Sequence, residues 1–271
     1  MKQTQPIGIF DSGIGGLTLA QAIHKLLPQE NLIYFGDTAH LPYGDKSTPA
    51  IQAYAVKICD LLIQQNCKLI LIACNSASAA AYELIKAYTA SKAKVINVID
   101  PVVNYITAHY HAQQIGLIGT RATVKAGTYR EKIKKKNSSI KLKSMATPLL
   151  APMIEDGFYH NNVSKVVIHK YLSSSKLKGI QALILACTHY PLIKDDIAVF
   201  YQEQAPVDII DGSSIVAKEV KAYLANHQLL NASSAMPSLK FYVSDYTQSF
   251  EASTKIFFGK RVHLEQYKLW E

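Results

Sequence analysis

The chain has 271 residues, 49% of them hydrophobic and 18% charged, with a formal net charge of +9. That length has room for two domains of about 150 residues, and that composition excludes a disordered chain. No apolar run reaches the roughly 18 residues a membrane span needs.

In chain order, short apolar runs alternate with longer amphipathic ones. Ile7–Phe10 predicts a strand that meets Asp11 too soon for a signal peptide, so the cytoplasm is the expected compartment. A helix over Gly16–Leu27 follows, then a strand at Leu32–Phe35 and a helix at Pro49–Gln64. Leu69–Ala73 predicts the next strand, Ser76–Ala87 a helix and Val95–Val98 a strand. Ile115–Ile118 is another strand, and the basic stretch 125–143 reads as a solvated helix with its following turn. Val163–Tyr171 predicts a helix, and Leu183–Ala186 and Val207–Ile210 predict strands. The aromatic and basic tail from Leu239 to Glu271 is expected to pack on the first part of the chain. Nearly continuous Ile, Val and Leu runs suit parallel strands buried on both faces. The alternation indicates an α/β fold with open parallel sheets flanked by helices.

The frame also looks duplicated. Ile7-Gly8-Ile9-Phe10-Asp11 with the later Ala73-Cys74-Asn75-Ser76 corresponds to Ile115-Gly116-Leu117-Ile118-Gly119-Thr120 with Ala186-Cys187-Thr188-His189. Two pseudo-symmetric lobes are predicted, each presenting one cysteine to a cleft between them. The first comprises residues 1–99 plus 211–271 and carries Cys74; the second comprises 100–210 and carries Cys187.

Ligands of open α/β sheets bind beyond the carboxyl ends of the strands. Four polar clusters occupy such places: Asp11-Ser12-Gly13, Cys74-Asn75-Ser76, Gly119-Thr120 through Thr123, and Cys187-Thr188-His189. The glycines at 13, 15 and 16 by themselves indicate only a tight turn, capped by Ser12. None of the four cysteines forms a CxxC pair, and their spacing matches no zinc site, so no metal is expected. Cys59 and Cys67 lie in apolar surroundings and read as core residues. Cys74 and Cys187 have Asn, Ser, Thr and His as neighbours and read as reactive thiols, their pKa lowered at helix N-termini. His189 is placed to assist Cys187 or to orient a carboxylate, whereas His109 and His111 read as surface residues. Pro42-Tyr43-Gly44 suits a loop that holds a backbone amide against a carboxylate.

At these residues the chain resembles the glutamate racemases of the aspartate/glutamate racemase superfamily. The resemblance runs through Phe10-Asp11-Ser12-Gly13-Ile14-Gly15-Gly16, Leu41-Pro42-Tyr43-Gly44, Ala73-Cys74-Asn75-Ser76, Gly119-Thr120-Arg121-Ala122-Thr123 and Ala186-Cys187-Thr188-His189-Tyr190-Pro191-Leu192. It implies a cofactor-free, PLP-independent isomerase that interconverts L- and D-glutamate for peptidoglycan synthesis, and so for cell-wall biogenesis and cell shape. It further implies Cys74 and Cys187 as the acid/base pair, with Asp11 and His189 as auxiliaries. Substrate would be held by Asp11, Ser12, Pro42, Tyr43, Gly44, Asn75, Ser76, Thr120, Thr123, Thr188 and His189. Glu155 matches a lesser acidic position, and Ser76 stands where family members commonly have Thr. A homodimer is implied. Removing an α-proton on one face and returning one on the other suits two opposed acid/bases.

Three rival readings differ in chemistry. An aspartate racemase would share the carboxylate-binding loops, and one methylene is worth only about 1–3 kcal/mol in a pocket. A nucleic-acid protein would explain the positive charge, but the lysines of 125–143 read as a solvated face without interleaved stacking aromatics, so such contact is expected to be incidental. A thiol redox enzyme would join its cysteines, leaving no room for a substrate between them.

Overall fold

The structure is a computed structural model describing residues 1–90, 92–202 and 206–271. The chain opens with β1 (Ile7–Asp11), α1 (Leu17–Leu26), β2 (Leu32–Gly36), α2 (Thr48–Gln64), β3 (Leu69–Ile72), α3 (Asn75–Thr89), β4 (Lys94–Asn97) and α4 (Ile99–His109). A second round follows: β5 (Gln114–Gly119), α5 (Arg121–Ala126), α6 (Thr128–Lys136), β6 (Lys141–Ala146), α7 (Leu150–Glu155), α8 (Asn162–Leu172), β7 (Ala182–Ala186), α9 (Lys194–Gln202) and β8 (Asp208–Asp211). The last elements are α10 (Gly212–Asn226), β9 (Leu239–Val243), α11 (Gln248–Phe258) and β10 (Glu265–Gln266).

The strands form two sheets, ordered β10-β9-β2-β1-β3-β4 and β6-β5-β7-β8, and every pairing is parallel. The order β2-β1-β3-β4 recurs as β6-β5-β7-β8, so the duplicated strings of the sequence are corresponding strands. Parallel strands cannot be joined by tight hairpins, so each connection crosses a face of the sheet as a helix and buries it. Hence β1, β2, β3 and β7 are buried along their whole length. Cys67 packs against Gly8, where a Cβ would approach its Sγ to 2.9 Å, and Cys59 is on the buried face of α2. Helix α10 packs on both α1 and α4, and one apolar core runs from the α1 side of the first sheet into the second.

Three strands, β6, β9 and β10, escaped the hydrophobic pattern. Residues 141–143, expected in a turn, belong to β6, an edge strand whose Lys141 and Lys143 alternate with apolar residues. Lysine on an edge strand discourages pairing with other chains. β9 lies in the aromatic tail and pairs with β2 from Leu32↔Leu239 to Gly36↔Val243, so the tail extends the first sheet. The predicted Ser12 cap is also absent: the amide of Gly16, at the start of α1, donates instead to Asp11 Oδ2 at 2.7 Å.

At the opposite end of the first sheet, Lys68 is completely buried. Its Nζ donates to Glu30 Oε2 at 2.6 Å and to the carbonyls of Gln3 and Leu229 at 2.5 and 2.8 Å. Glu30 Oε1 accepts from the Asn231 amide at 2.8 Å. The pair thus joins the segment before β1 to the one after α10. Lys68→Ala leaves a buried carboxylate unpaired and is expected to cost about 3–5 kcal/mol of unfolding free energy in urea titrations.

Candidate active site

The carboxyl ends of the two sheets face one pocket of about 440 Å³. Ser12, Pro42, Tyr43, Gly44, Cys74, Asn75, Ser76, Thr120, Cys187, Thr188 and His189 line it, as do Leu41, Ala151, Pro152 and Glu155. Two expected residues stand behind the wall. Asp11 is fully buried beneath it, and Thr123 is buried behind Thr120, accepting from its hydroxyl at 3.0 Å.

Asp11 ends the central strand β1. Its Oδ2 accepts from the Gly16 amide and, at 3.4 Å, from the Thr188 hydroxyl of the other sheet; its Oδ1 is buried with no hydrogen-bond partner. Burial holds the carboxyl above its usual range. The charge of His189, the Gly16 and Ser12 amides and the Cys74 thiol pull it down without overcoming that effect. Gly16 must be small, since a Cβ there would meet Asp11 Cβ at 2.6 Å.

Cys74 caps α3, its Sγ accepting from the Ala77 amide at 3.4 Å and donating to Ser12 Oγ at 3.7 Å. A helix N-terminus alone would favour thiolate. Burial and the neighbouring Asp11 charge prevail, and the thiol is pushed up to about 12. The expectation of a lowered pKa at Cys74 is therefore corrected.

Cys187 differs in its surroundings. It follows β7 and precedes a 3-10 turn at Tyr190–Ile193 that leads into α9, so it is not itself a helix cap. Its Sγ lies 3.6 Å from His189 Nδ1, and His189 Nε2 lies 2.8 Å from Glu155 Oε1 at the end of α7. Burial alone would lower the imidazole pKa. Its hydrogen bonds to Cys187 and Glu155 outweigh that and hold it well above the usual histidine range. The ring fits against bare backbone, because a Cβ on Gly15 would stand 2.6 Å from His189 Nδ1. Phe257 of α11 meets it edge-on, with centroids 5.4 Å apart.

The remaining wall ties the sheets together. Ser76 Oγ lies 2.8 Å from Thr120 Oγ1 and 3.3 Å from Thr123 Oγ1. Tyr129 Oη, from α6, donates to Asn75 Oδ1 at 2.8 Å. Gly44 lies close against Thr120, where a Cβ would approach the Thr120 Cβ to 2.9 Å. Among the described residues no cluster of His, Cys, Asp or Glu is arranged to hold a metal ion, and all four cysteines are free thiols.

Two residues that matter here are faintly legible in the sequence or not at all. Nothing in Pro152–Gly157 shows that α7 carries Glu155 to His189. Tyr129 lies within the basic stretch, where lysines mask its buried face.

The family profile described as Asp/Glu/Hydantoin racemase matches residues 17–220. A glutamate racemase of Chlorobaculum parvum is 39% identical over 259 residues, covering 96% of this chain and 94% of the relative. The crystal structure of a Francisella tularensis glutamate racemase in complex with D-glutamate superposes with a TM-score of 0.92 at 39% identity, over 99% of both chains. A Thermus thermophilus glutamate racemase in complex with beta-chloro-D-alanine gives 0.87 at 33% identity, over 98% of both chains.

Glu155→Gln removes the carboxylate that favours the imidazolium. The His189 pKa, followed by NMR of the labelled ring, is expected to fall. An unchanged value would show that Glu155 does not hold that proton.

Proposed function

This chain belongs to the Asp/Glu/Hydantoin racemase family, and we propose that it interconverts L- and D-glutamate by two-thiol proton transfer without a cofactor. One observation carries the reading. Two cysteines, one from each sheet, line a single pocket, and each has its own acid–base partner. The relatives and solved neighbours named above are glutamate racemases, which supports glutamate over aspartate.

In one direction Cys187, as thiolate beside the His189 imidazolium, takes the α-proton. Cys74, held as thiol by burial and by Asp11, gives its proton to the other face of the carbanion. In the other direction the Cys74 proton passes first to Asp11, whose raised pKa suits it to accept, and the Cys187 thiolate takes the proton of the His189 imidazolium; the Cys74 thiolate then removes the α-proton and the Cys187 thiol donates to the other face. Cys74, Asp11, Cys187 and His189 are the proposed catalytic residues. Glu155 holds the His189 proton. Asn75 and Ser76, at the α3 N-terminus, favour a substrate carboxylate. Ser12, Pro42, Tyr43, Gly44, Thr120 and Thr188 complete the substrate wall, and Thr123 supports Thr120.

Sheet membership supports lobes of 1–99 plus 211–271 and of 100–210, since β8 ends the second sheet at Asp211 and β9 returns to the first. D-Glutamate made in the cytoplasm would feed peptidoglycan synthesis. Among the described residues no helix is long and apolar enough to cross a membrane.

In D2O without PLP, both enantiomers of glutamate are expected to lose their α-proton to solvent and to interconvert. Cys74→Ser and Cys187→Ser are each expected to lower racemisation by roughly 10²–10⁴. Near-normal turnover in either variant would sink the two-thiol scheme.

A further inference from the structure

Asp37 follows β2, is fully buried and has no part in the proton transfer proposed above. Its carboxylate gathers donors from three distant stretches of chain. Tyr43 Oη donates to Oδ2 at 2.6 Å, Ser244 Oγ to Oδ1 at 2.8 Å and Trp270 Nε1 to Oδ1 at 2.9 Å. His40 Nδ1 lies 3.1 Å from both oxygens. Several donors on one buried carboxylate make a stiff joint, because hydrogen bonds to an ionised acceptor are short and strong. Of the groups on that joint, Tyr43 reaches the pocket, as part of the Leu41–Gly44 wall.

Trp270 is itself held on several sides. The His40 and Tyr54 rings meet it edge-on with centroids at 4.5 and 5.4 Å, and Lys57 Nζ stands 4.9 Å over its face. The indole N–H is thus aimed at Asp37 by packing, and Asp37 in turn fixes the Tyr43 hydroxyl. Proton transfer asks for no indole. A pocket that must seat a flexible dicarboxylate does ask for a wall that does not drift.

We infer that Trp270, acting through Asp37, is a positioning residue that holds the Leu41–Gly44 wall against the substrate. The inference rests on the reading of glutamate as substrate. The wall belongs to the binding pocket and the thiols to the chemistry. Loosening the wall should therefore weaken substrate binding and leave the chemical step alone, raising KM rather than lowering kcat.

Trp270→Phe keeps a packed ring and loses the N–H. KM for both enantiomers is expected to rise about three- to tenfold, the net weight of one typical hydrogen bond, with kcat and the unfolding temperature nearly unchanged. Asp37→Asn, which loses the charge at the joint, is expected to raise KM further. A role confined to folding would lower the unfolding temperature and leave KM where it was. Trp270 is also the chain's single tryptophan, so its fluorescence reports on this joint alone. Titration of the wild type with D-glutamate is expected to shift that emission with a midpoint near KM, and Tyr43→Phe is expected to abolish the shift. Unchanged KM in Trp270→Phe, or a shift that survives Tyr43→Phe, overturns the inference. A wild-type protein that does not racemise glutamate overturns the functional reading itself, which the assay shows before any variant is made.

Discussion

The site is organised around a carboxylate that water does not reach. A buried charge without partners is unstable and either acquires them or takes up a proton. Asp11 acquires some partners, and burial holds its pKa above the usual carboxylate range. One oxygen accepts from Gly16 and from Thr188 of the opposite sheet, and the other is left bare. The bare oxygen keeps the proton affinity high, and the satisfied one fixes where the carboxyl points. Its neighbours conform to it. Gly16 cannot carry a side chain, Tyr34 Oη anchors the loop through the Gly13 carbonyl at 2.7 Å, and Thr188 brings the second sheet into register with the first.

The same carboxyl explains why the two thiols differ despite equivalent places in the duplicated frame. Cys74 follows β3 and Cys187 follows β7, the matching strands. A thiol next to a carboxylate resists ionisation, whereas one next to an imidazolium is helped toward it. Asp11 stands by Cys74, and His189 with Glu155 stands by Cys187. On the proposed two-thiol reading, asymmetry of partners on a symmetric scaffold is what would divide the roles of acid and base between the two sites. A two-base racemisation requires that division, since two thiolates could not reprotonate a carbanion and two thiols could not form one.

Seven of the ten strands among the described residues are legible in the sequence because buried parallel strands leave a nearly unbroken apolar signature. β6 was hidden by its edge lysines, and β9 and β10 by a tail in which aromatic, basic and polar residues alternate. The two cysteine motifs were legible because their polar neighbours make no sense in a core. Glu155 and Asp37 act through contacts made only in three dimensions, from α7 onto His189 and from the end of β2 onto Tyr43 and Trp270. The raised pKa of Cys74 is illegible in the sequence for a related reason. Its helix cap is a local feature visible in the sequence, but its complete burial is a property of the assembled lobes.

The two lobes also divide the labour between rigidity and chemistry. The first sheet is extended by β9 and β10, and the segment beyond them returns to Asp37 beside the substrate wall. Among the described residues the second sheet has no such extension; in its place α7 follows β6 and delivers Glu155 to the pocket. A duplicated frame therefore supplies two cysteines by symmetry, and the elements that differ between the copies set their surroundings apart. On the proposed reading, those of the first copy stiffen the substrate wall and those of the second bring Glu155 to His189. The frame alone would hold two buried cysteines in like surroundings, and the division into acid and base that the proposal needs would have no source.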